Sequence, residues 1–336
     1  LPQDGRFKIE QDGRRIAFRV SILPVYSGEK IVTRLLDEGS KGLTLEAMGL
    51  WGNDLEKIHR AIKRPNGMIL VTGPTGSGKT TTLYTIMDIL NTPLVNISTV
   101  EDPIEYKMPR INQTQVSPNI GLTFSQGLRA LLRQDPDIIM VGEIRDKETM
   151  EIAIHAAMTG HLVLSTLHTN SAAGTIPRLL DMGAEAFLVA STVNVVMAQR
   201  LVRRLCPDCR QPFTLDAELL KSLGKDVDLD RILDTAAKSN LIDGKIASEK
   251  DWSGISFYRP VGCQRCGKEG YKGRIGIYEV IEISEGLAKM ISMKADNNEI
   301  EKKAIEEGMM KMMEDGMIKA LQGITSIEEI LRVTKD

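Results

Sequence analysis

The chain has 336 residues, enough for two domains each with its own core. Lysine and arginine total 43 against 45 aspartates and glutamates, so nothing in the overall balance points to a nucleic-acid-binding surface. The most apolar long stretch, residues 187–198, is too short to span a bilayer and carries Ser191, Thr192 and Asn194. The opening residues are polar and charged and do not read as a signal peptide, so the working parts are expected to face the cytosol.

Residue 1 is Leu and the sequence starts close to a strand pattern, which suggests that more chain precedes it. From Phe7 to Val25 apolar and polar residues partly alternate around Gln11-Asp12-Gly13-Arg14, a hairpin turn signal. A small antiparallel sheet is expected, with Ile9 and Ile16 toward a core. Arg6, Arg19 and Arg34 fall in this region, outside the turn that holds Arg14 and Arg15. They read either as solvated strand residues or as cations that reach a triphosphate bound elsewhere in an assembly. Asn53 or Asp54 reads as the N-cap of a helix to Arg64, with Leu55, Ile58 and Ile62 at helical spacing and Pro65-Asn66-Gly67 as its stop.

The apolar run Met68-Ile69-Leu70-Val71-Thr72 suits a buried parallel strand, and the residues from Thr81 to Leu90 suit a helix. Between them lies Gly73-Pro74-Thr75-Gly76-Ser77-Gly78-Lys79-Thr80, a complete G-x-x-x-x-G-K-[ST] loop in its strand-turn-helix setting. The glycines let successive backbone amides converge on one point, the helix adds its positive end, and Lys79 can reach terminal phosphates. Thr80 supplies a hydroxyl for Mg²⁺. The loop therefore predicts a nucleoside triphosphate site comprising Gly73 to Thr81.

Val95 to Val100 reads as a further strand, followed by Glu101, Asp102 and Glu105, which are either a solvated acidic turn or carboxylates with a metal or water role. Ser125 to Arg133 suits a short helix. Ile138-Ile139-Met140-Val141 suits a strand that ends at Gly142-Glu143, where a carboxylate can orient water or hold Mg²⁺ through water. Many phosphate-loop proteins carry Asp where this chain has Gly142, which leaves the charge to Glu143. Asp146 is a candidate N-cap for a helix to about Met158, in which His155 is read as packing. His161 and His168 flank the strand Leu162-Val163-Leu164-Ser165-Thr166, and His168 reads as a phosphate sensor or as a structural histidine. A further helix is expected from about Ala184 to Leu205, its cations Arg200, Arg203 and Arg204 pairing with the helix C-terminus.

All four cysteines fall in two C-x-x-C pairs, Cys206 with Cys209 and Cys263 with Cys266, which can supply four thiolates to one Zn²⁺. The stretch between them, Thr214 to Trp252, is polar and helix-prone and reads as an inserted lobe. Lys272 to Val280 looks like a turn leading into a strand. From Ser284 the chain reads as helical, with methionines such as Met309 and Met317 as core filling and a capped last helix near Thr325-Ser326.

Together these motifs resemble the type II secretion and type IV pilus assembly ATPases over essentially the whole chain. The resemblance rests on Pro2-Gln3-Asp4-Gly5-Arg6, Gly73 to Thr80, Glu101 to Glu105, Gly142-Glu143-Ile144-Arg145-Asp146, Thr159-Gly160-His161 through His168-Thr169-Asn170, the cysteine pairs, and Gly273-Arg274-Ile275-Gly276. That family also carries glycine before the strand-end glutamate. It implies an α/β fold: a P-loop, RecA-like core with a mostly parallel sheet, an N-terminal α+β lobe, and a zinc-binding, helical C-terminal part. The expected divisions are 1–40 for the lobe, 41–64 for a linker and first helix, 65–205 for the ATPase core, 206–280 for the tetracysteine subdomain with its insert, and 281–336 for the C-terminal helices.

By the same resemblance Lys79 and Thr80 bind phosphates and Mg²⁺, and Glu105 and Glu143 polarise or deprotonate the attacking water. His161 and His168 form a histidine box that couples phosphate state to movement. Arg19 and Arg34 come from the N-terminal lobe to neutralise transition-state charge. Arg129, Arg133, Arg145 and Arg178 lie near the nucleotide or a subunit interface, and Arg274 near the base. The implied assembly is a homo-hexamer, cytoplasmic, recruited to an inner-membrane platform protein and its cytoplasmic-face assembly proteins, with ATP, Mg²⁺ and Zn²⁺ as ligands and no nucleic acid. The paired cysteines fit assembly and secretion members rather than retraction motors, which generally lack them. Two other readings remain from the residues, a nucleic-acid translocase and a nucleotide-dependent structural platform with little turnover.

Overall fold

A computed structural model describes residues 1–11, 14–37, 42–225, 227–250 and 252–334. The chain opens with β1 (Gln3–Gln11), β2 (Arg14–Val25) and β3 (Gly28–Asp37), a three-stranded antiparallel sheet. Gln11 pairs with Arg14, the register of a two-residue hairpin, while the turn residues Asp12 and Gly13 lie outside the described residues. Ile9 does not enter a core. It is exposed, as are Phe7, Ile31 and Val32, because within this chain the described sheet is a single layer. The side chain of Ile16 lies outside the described residues. Phe7 instead stacks across the strands on Phe18 at 4.9 Å.

α1 (Gly52–Ile62) follows, two residues shorter than expected at its end. Its N-cap is Trp51, with no side-chain cap, rather than Asn53 or Asp54. Asp54 is occupied elsewhere: it is buried and accepts a hydrogen bond from Lys57 Nζ at 2.9 Å. Then come β4 (Gly67–Thr72), α2 (Lys79–Leu90), β5 (Ile97–Glu101), β6 (Ile111–Gln115), α3 (Phe124–Leu131), β7 (Ile138–Val141), α4 (Lys147–Met158) and β8 (Leu162–Leu167). Thr123 caps α3, and Asp146 caps α4 by accepting from Thr149 N at 2.8 Å. His155 lies exposed on α4 rather than packed.

The expected helix from 184 to 205 is the main correction. α5 (Thr175–Asp181) and α6 (Ala186–Thr192) are short, and Val193–Leu205 is a 13-residue strand, β9. β9 pairs in parallel with β4 on one side and antiparallel with β12 (Tyr271–Glu282) on the other. Val193, Val195, Val196 and Val202 are β-branched and suit a strand buried on both faces. Arg203 accordingly pairs with Glu329 at 2.7 Å and lies over the Tyr271 ring, instead of meeting a helix terminus.

Between β9 and β12 the insert forms β10 (Gln211–Thr214), α7 (Ala217–Leu223), α8 (Leu229–Lys238), α9 (Gly244–Glu249) and β11 (Ser256–Arg259). After β12 come α10 (Glu285–Ser292), α11 (Asn297–Glu306), α12 (Met312–Leu321) and α13 (Ile327–Thr334). The principal sheet runs β12-β9-β4-β8-β7-β5-β6 and is parallel except at β12.

Alternating residues of the inner strands feed two cores, as the strand period requires. Met68 and Leu70 of β4 pack with residues of α3 to α6, α10 and α11, whereas Ile69 and Val71 pack with α1 and α2. A third core joins the insert, through Trp252 and Phe257, to Met317 and Ile318 of α12 and Ile330 of α13. Met309, Met312 and Met317 are buried as expected, but Met293 is exposed.

Candidate nucleotide site and tetracysteine centre

The carboxyl ends of β4, β8, β7 and β5 are neighbours in the sheet, so the segments that follow these strands converge on one edge. After β4 the loop turns through Gly73, Gly76 and Gly78, all at positive φ, and enters α2 at Lys79. A Cβ at Gly73 would lie 2.5 Å from the Gln199 carbonyl oxygen and 2.7 Å from Ser77 Oγ, so only glycine fits there. Lys79 Nζ donates to the carbonyls of Gly73 and Pro74 at 2.7 and 3.1 Å, folding over its own loop. Burial pulls the Lys79 pKa down, and the Glu143 charge opposes that pull. The first turn of α2 carries no acidic residue, and buried Ser77 Oγ has no hydrogen-bond partner among the described residues. An unpaired buried hydroxyl inside a glycine loop at a helix N-terminus fits a phosphate oxygen. Thr80 is exposed beside it and Thr81 half-buried.

Gln199 of β9 holds this loop, a role that a helix over residues 184–205 would not give it. Its Nε2 donates to the Ser77 carbonyl at 2.6 Å, and its Oε1 accepts from Thr82 Oγ1 at 2.8 Å. The only outward signal is a polar residue inside an apolar run, Met197-Ala198-Gln199. Thr72 ties the loop's strand to the next segment, since Thr72 Oγ1 accepts from Thr169 N at 2.8 Å. That bond brings His168 alongside.

Glu143, 9% exposed, sits just beyond β7. One oxygen pairs with Arg145 Nη2 at 2.6 Å and the other meets His168 Nε2 at 3.2 Å. His161 is not part of this cluster. It precedes β8, whose six residues span roughly 20 Å, and its Nδ1 lies 2.9 Å from the Ala156 carbonyl oxygen. The acidic segment is also divided. Glu101, 2% exposed, is enclosed by hydrogen bonds from Tyr84, Thr99 and Gln113, which removes it from the candidate metal ligands. Glu105 is half-buried and Asp102 exposed.

The arginines are dispersed. Arg6, Arg19 and Arg34 are cross-strand partners in one row of the N-terminal sheet, and no hydrogen bond or ion pair among the described residues links that sheet to the phosphate loop. The side chains of Arg6 and Arg34 lie outside the described residues. Arg129 pairs with Glu148 on α4, Arg133 donates to the Arg129 carbonyl, and Arg178 lies on α5. Arg274 is exposed on β12 opposite Arg203, at the same sheet edge as the loop but two strands from β4.

The four cysteine sulfurs form a second centre, all within 4.8 Å of one another. Cys206 and Cys263 are 3.8 Å apart, Cys209 and Cys266 3.9 Å, and Cys263 and Cys266 3.7 Å. Sulfurs bound at about 2.3 Å to a tetrahedral Zn²⁺ stand about 3.8 Å apart, whereas a disulfide would bring them to about 2.05 Å. Cys266 Sγ accepts backbone N–H bonds from Cys263 and Gly270 at 3.1 and 3.2 Å, the former being the main cause that lowers its pKa to about 6. Donor set and spacing both fit Zn²⁺.

Residues 1–332 match the family described as type II/IV secretion system protein. The chain belongs to that family. It is 47% identical over its whole length to the type II secretion system ATPase E of Vibrio cholerae and 50% identical to the type IV pilus assembly ATPase PilB of Pseudomonas aeruginosa. It spans 62% and 55%, respectively, of those relatives' lengths. Among solved structures it superposes over its full length on the ADP-bound pilus retraction motor PilT, with a TM-score of 0.68, 26% identity and 78% of that chain covered. The Legionella pneumophila ATPase DotB shares the fold, with a TM-score of 0.67 at 23% identity over all of this chain and 78% of the other.

Proposed function

We propose that this family member is a Mg²⁺-dependent ATPase that converts ATP and water to ADP and phosphate. The observation that carries the reading is the glycine loop between β4 and α2, with Glu143, held by Arg145 and His168, just beyond β7 at the same sheet edge. Lys79, Ser77 and the amides of Gly73 to Thr81 would bind the phosphates, and Thr80 would be the hydroxyl ligand of Mg²⁺. The bound Mg²⁺ supplies charge neutralisation on the phosphate oxygens.

Glu143 would orient or deprotonate the attacking water, and Glu105, in the segment that follows β5 at the same sheet edge, would share that task. His168, hydrogen-bonded to Glu143, would register the loss of the terminal phosphate. Among the described residues no hydrogen bond or ion pair links Arg19 or His161 to the loop, so a contribution from them, or from Arg34, would come from a neighbouring copy. Such a copy would be the next subunit of a homo-hexameric ring, and Arg274 would lie toward the base. Given relatives that are a secretion ATPase and a pilus assembly ATPase, the work would be delivered as subunit movement. Its recipient would be an inner-membrane platform protein and the assembly proteins around it on the cytoplasmic face. Zn²⁺ would fill the tetracysteine centre.

Phosphate release from ATP with Mg²⁺ tests the reading, at protein concentrations below and above assembly. Lys79→Ala should lose nucleotide binding and release together. Glu143→Gln should retain binding and lose at least about a hundredfold in turnover. Equal rates for both variants and the parent would sink the proposal.

A further inference from the structure

The segment carrying Glu105 leaves β5 at Glu101 and returns at β6, with its backbone held at several separate points. Ile104 N–H donates to Gln115 Oε1 at 3.4 Å, Glu105 N–H to the Tyr84 hydroxyl at 3.3 Å, and Met108 N–H to Gln113 Oε1 at 2.8 Å. Gln113 Nε2 reaches the Tyr106 carbonyl at 3.1 Å. The Tyr84 ring also packs edge-on against Tyr106, centroids 4.6 Å apart. Tyr84 differs from the other supports because it lies on α2, whose first residues are Lys79 and Thr80. Five residues on, it stands about 7.5 Å along the same rigid axis.

The phenol has one proton and must spend it in the right direction. It donates to Glu101 Oε2, which leaves the phenolic oxygen's lone pairs to accept the Glu105 N–H and Gln113 Nε2, each at 3.3 Å. Glu101 can hold that orientation because its carboxylate is otherwise surrounded by donors, Thr99 Oγ1 at 2.5 Å and Gln113 Nε2 at 3.2 Å. Both Tyr84 and Glu101 are buried, so water does not substitute for either partner.

We infer that Tyr84 is a positioning residue for hydrolysis: with its proton locked on Glu101, it ties the Glu105 backbone to the helix that binds the phosphates. The inference rests on the ATPase reading above and adds to it a rigid link between two parts of the site. A helix that shifts with its nucleotide carries Glu105 with it.

The test uses the full chain, zinc-loaded, with Mg²⁺ and ATP, and the variants Tyr84→Phe and Glu101→Gln. Each should lower kcat about tenfold while KM for ATP stays within about twofold, because misplacement affects the reacting geometry more than ground-state binding. Tyr84→Phe added to Glu105→Gln should cost nothing further in kcat, since Tyr84 acts only through that carboxylate. Amide hydrogen exchange at Glu105 should accelerate in both variants, while the Ile144 amide, bonded to the Thr166 carbonyl, should not change.

Unchanged exchange at Glu105, or a full additive loss in the double variant, overturns the inference. If the parent chain shows no turnover but Glu105 exchange still accelerates, the hydrolysis reading fails and the Tyr84 tether stands. Should Tyr84→Phe not fold, Glu101→Gln carries the same readouts.

Discussion

Gln199 contributes no atom to the expected reaction, yet two bonds from its amide shape the phosphate loop. It donates to the Ser77 carbonyl and accepts from Thr82, and it is 1% exposed. Removing a buried partner leaves those groups unsatisfied, at a cost of about 1–3 kcal/mol. Gln199→Ala should therefore lower stability by that amount and raise KM for ATP about tenfold, with a smaller effect on kcat. Gln199→Glu is the sharper comparison, because it keeps the volume but faces the Ser77 carbonyl with an acceptor. If calorimetric titration with ATP finds the Glu variant as tight as the parent, the amide is only filling space. At this scale the sequence was legible where residue type encodes backbone shape, as in Gly73, Gly76 and Gly78, whose positive φ values follow from the motif. It was silent on Gln199 and Tyr84, whose partners lie 122 and 21 residues away at Ser77 and Glu105 and depend on strand register.

Strand β9 shows why one element escaped. A short apolar run looks alike as a buried helix or a buried strand, and α6 does occupy its first part, Ala186–Thr192. What decides the remainder is pairing on both sides, from β4 and β12, and neither partner is adjacent in sequence. The short parallel strands β4, β7 and β8 were legible because fully buried strands read as continuous apolar runs. The cysteine pairs were legible too, since spacing alone limits their chemistry. They close the ends of the insert, with Cys206 following β9 and Cys266 just before β12, so metal at this centre would fix both exits. Chelating one equivalent of Zn²⁺, or substituting Cys209→Ser, should make residues 206–270 markedly more sensitive to protease. ATP binding at the loop beyond β4 should change by less than about threefold, because the two centres share no side chain. Metal analysis finding no zinc, or identical digestion before and after chelation, would contradict this.

Across the whole molecule, buried carboxylates join parts that are distant in sequence, and they predict how stability varies with pH. Glu279 of β12 accepts the Ala172 N–H at 2.8 Å and so anchors the segment between β8 and α5. Burial raises its pKa from 4.5 to about 7; Glu301 adds to the rise, while Lys311 and the backbone N–H groups oppose it. Asp54 is likewise raised by burial, to about 6, although Lys57 opposes the shift. A carboxyl whose folded pKa exceeds its unfolded value binds protons more readily when folded, so it favours the folded state at low pH. That contribution fades as pH rises through the folded pKa, and a shift of this size corresponds to about 3 kcal/mol for Glu279.

Glu329 acts in the opposite sense. Arg332 and Arg203 outweigh its burial and hold it at about 2, so its contribution is lost only in stronger acid, below the usual carboxylate range. The urea midpoint should therefore rise as pH falls from 7.5 to 5.5 and decline again below about pH 4. Glu279→Gln keeps an acceptor for Ala172 N–H but removes the proton. It should flatten the rise between pH 7.5 and 5.5 while matching the parent near pH 5. A variant whose midpoint follows the parent's pH dependence throughout that interval would show that Glu279 stays ionised in the fold, and that hydrogen bonding to the backbone outweighs its burial.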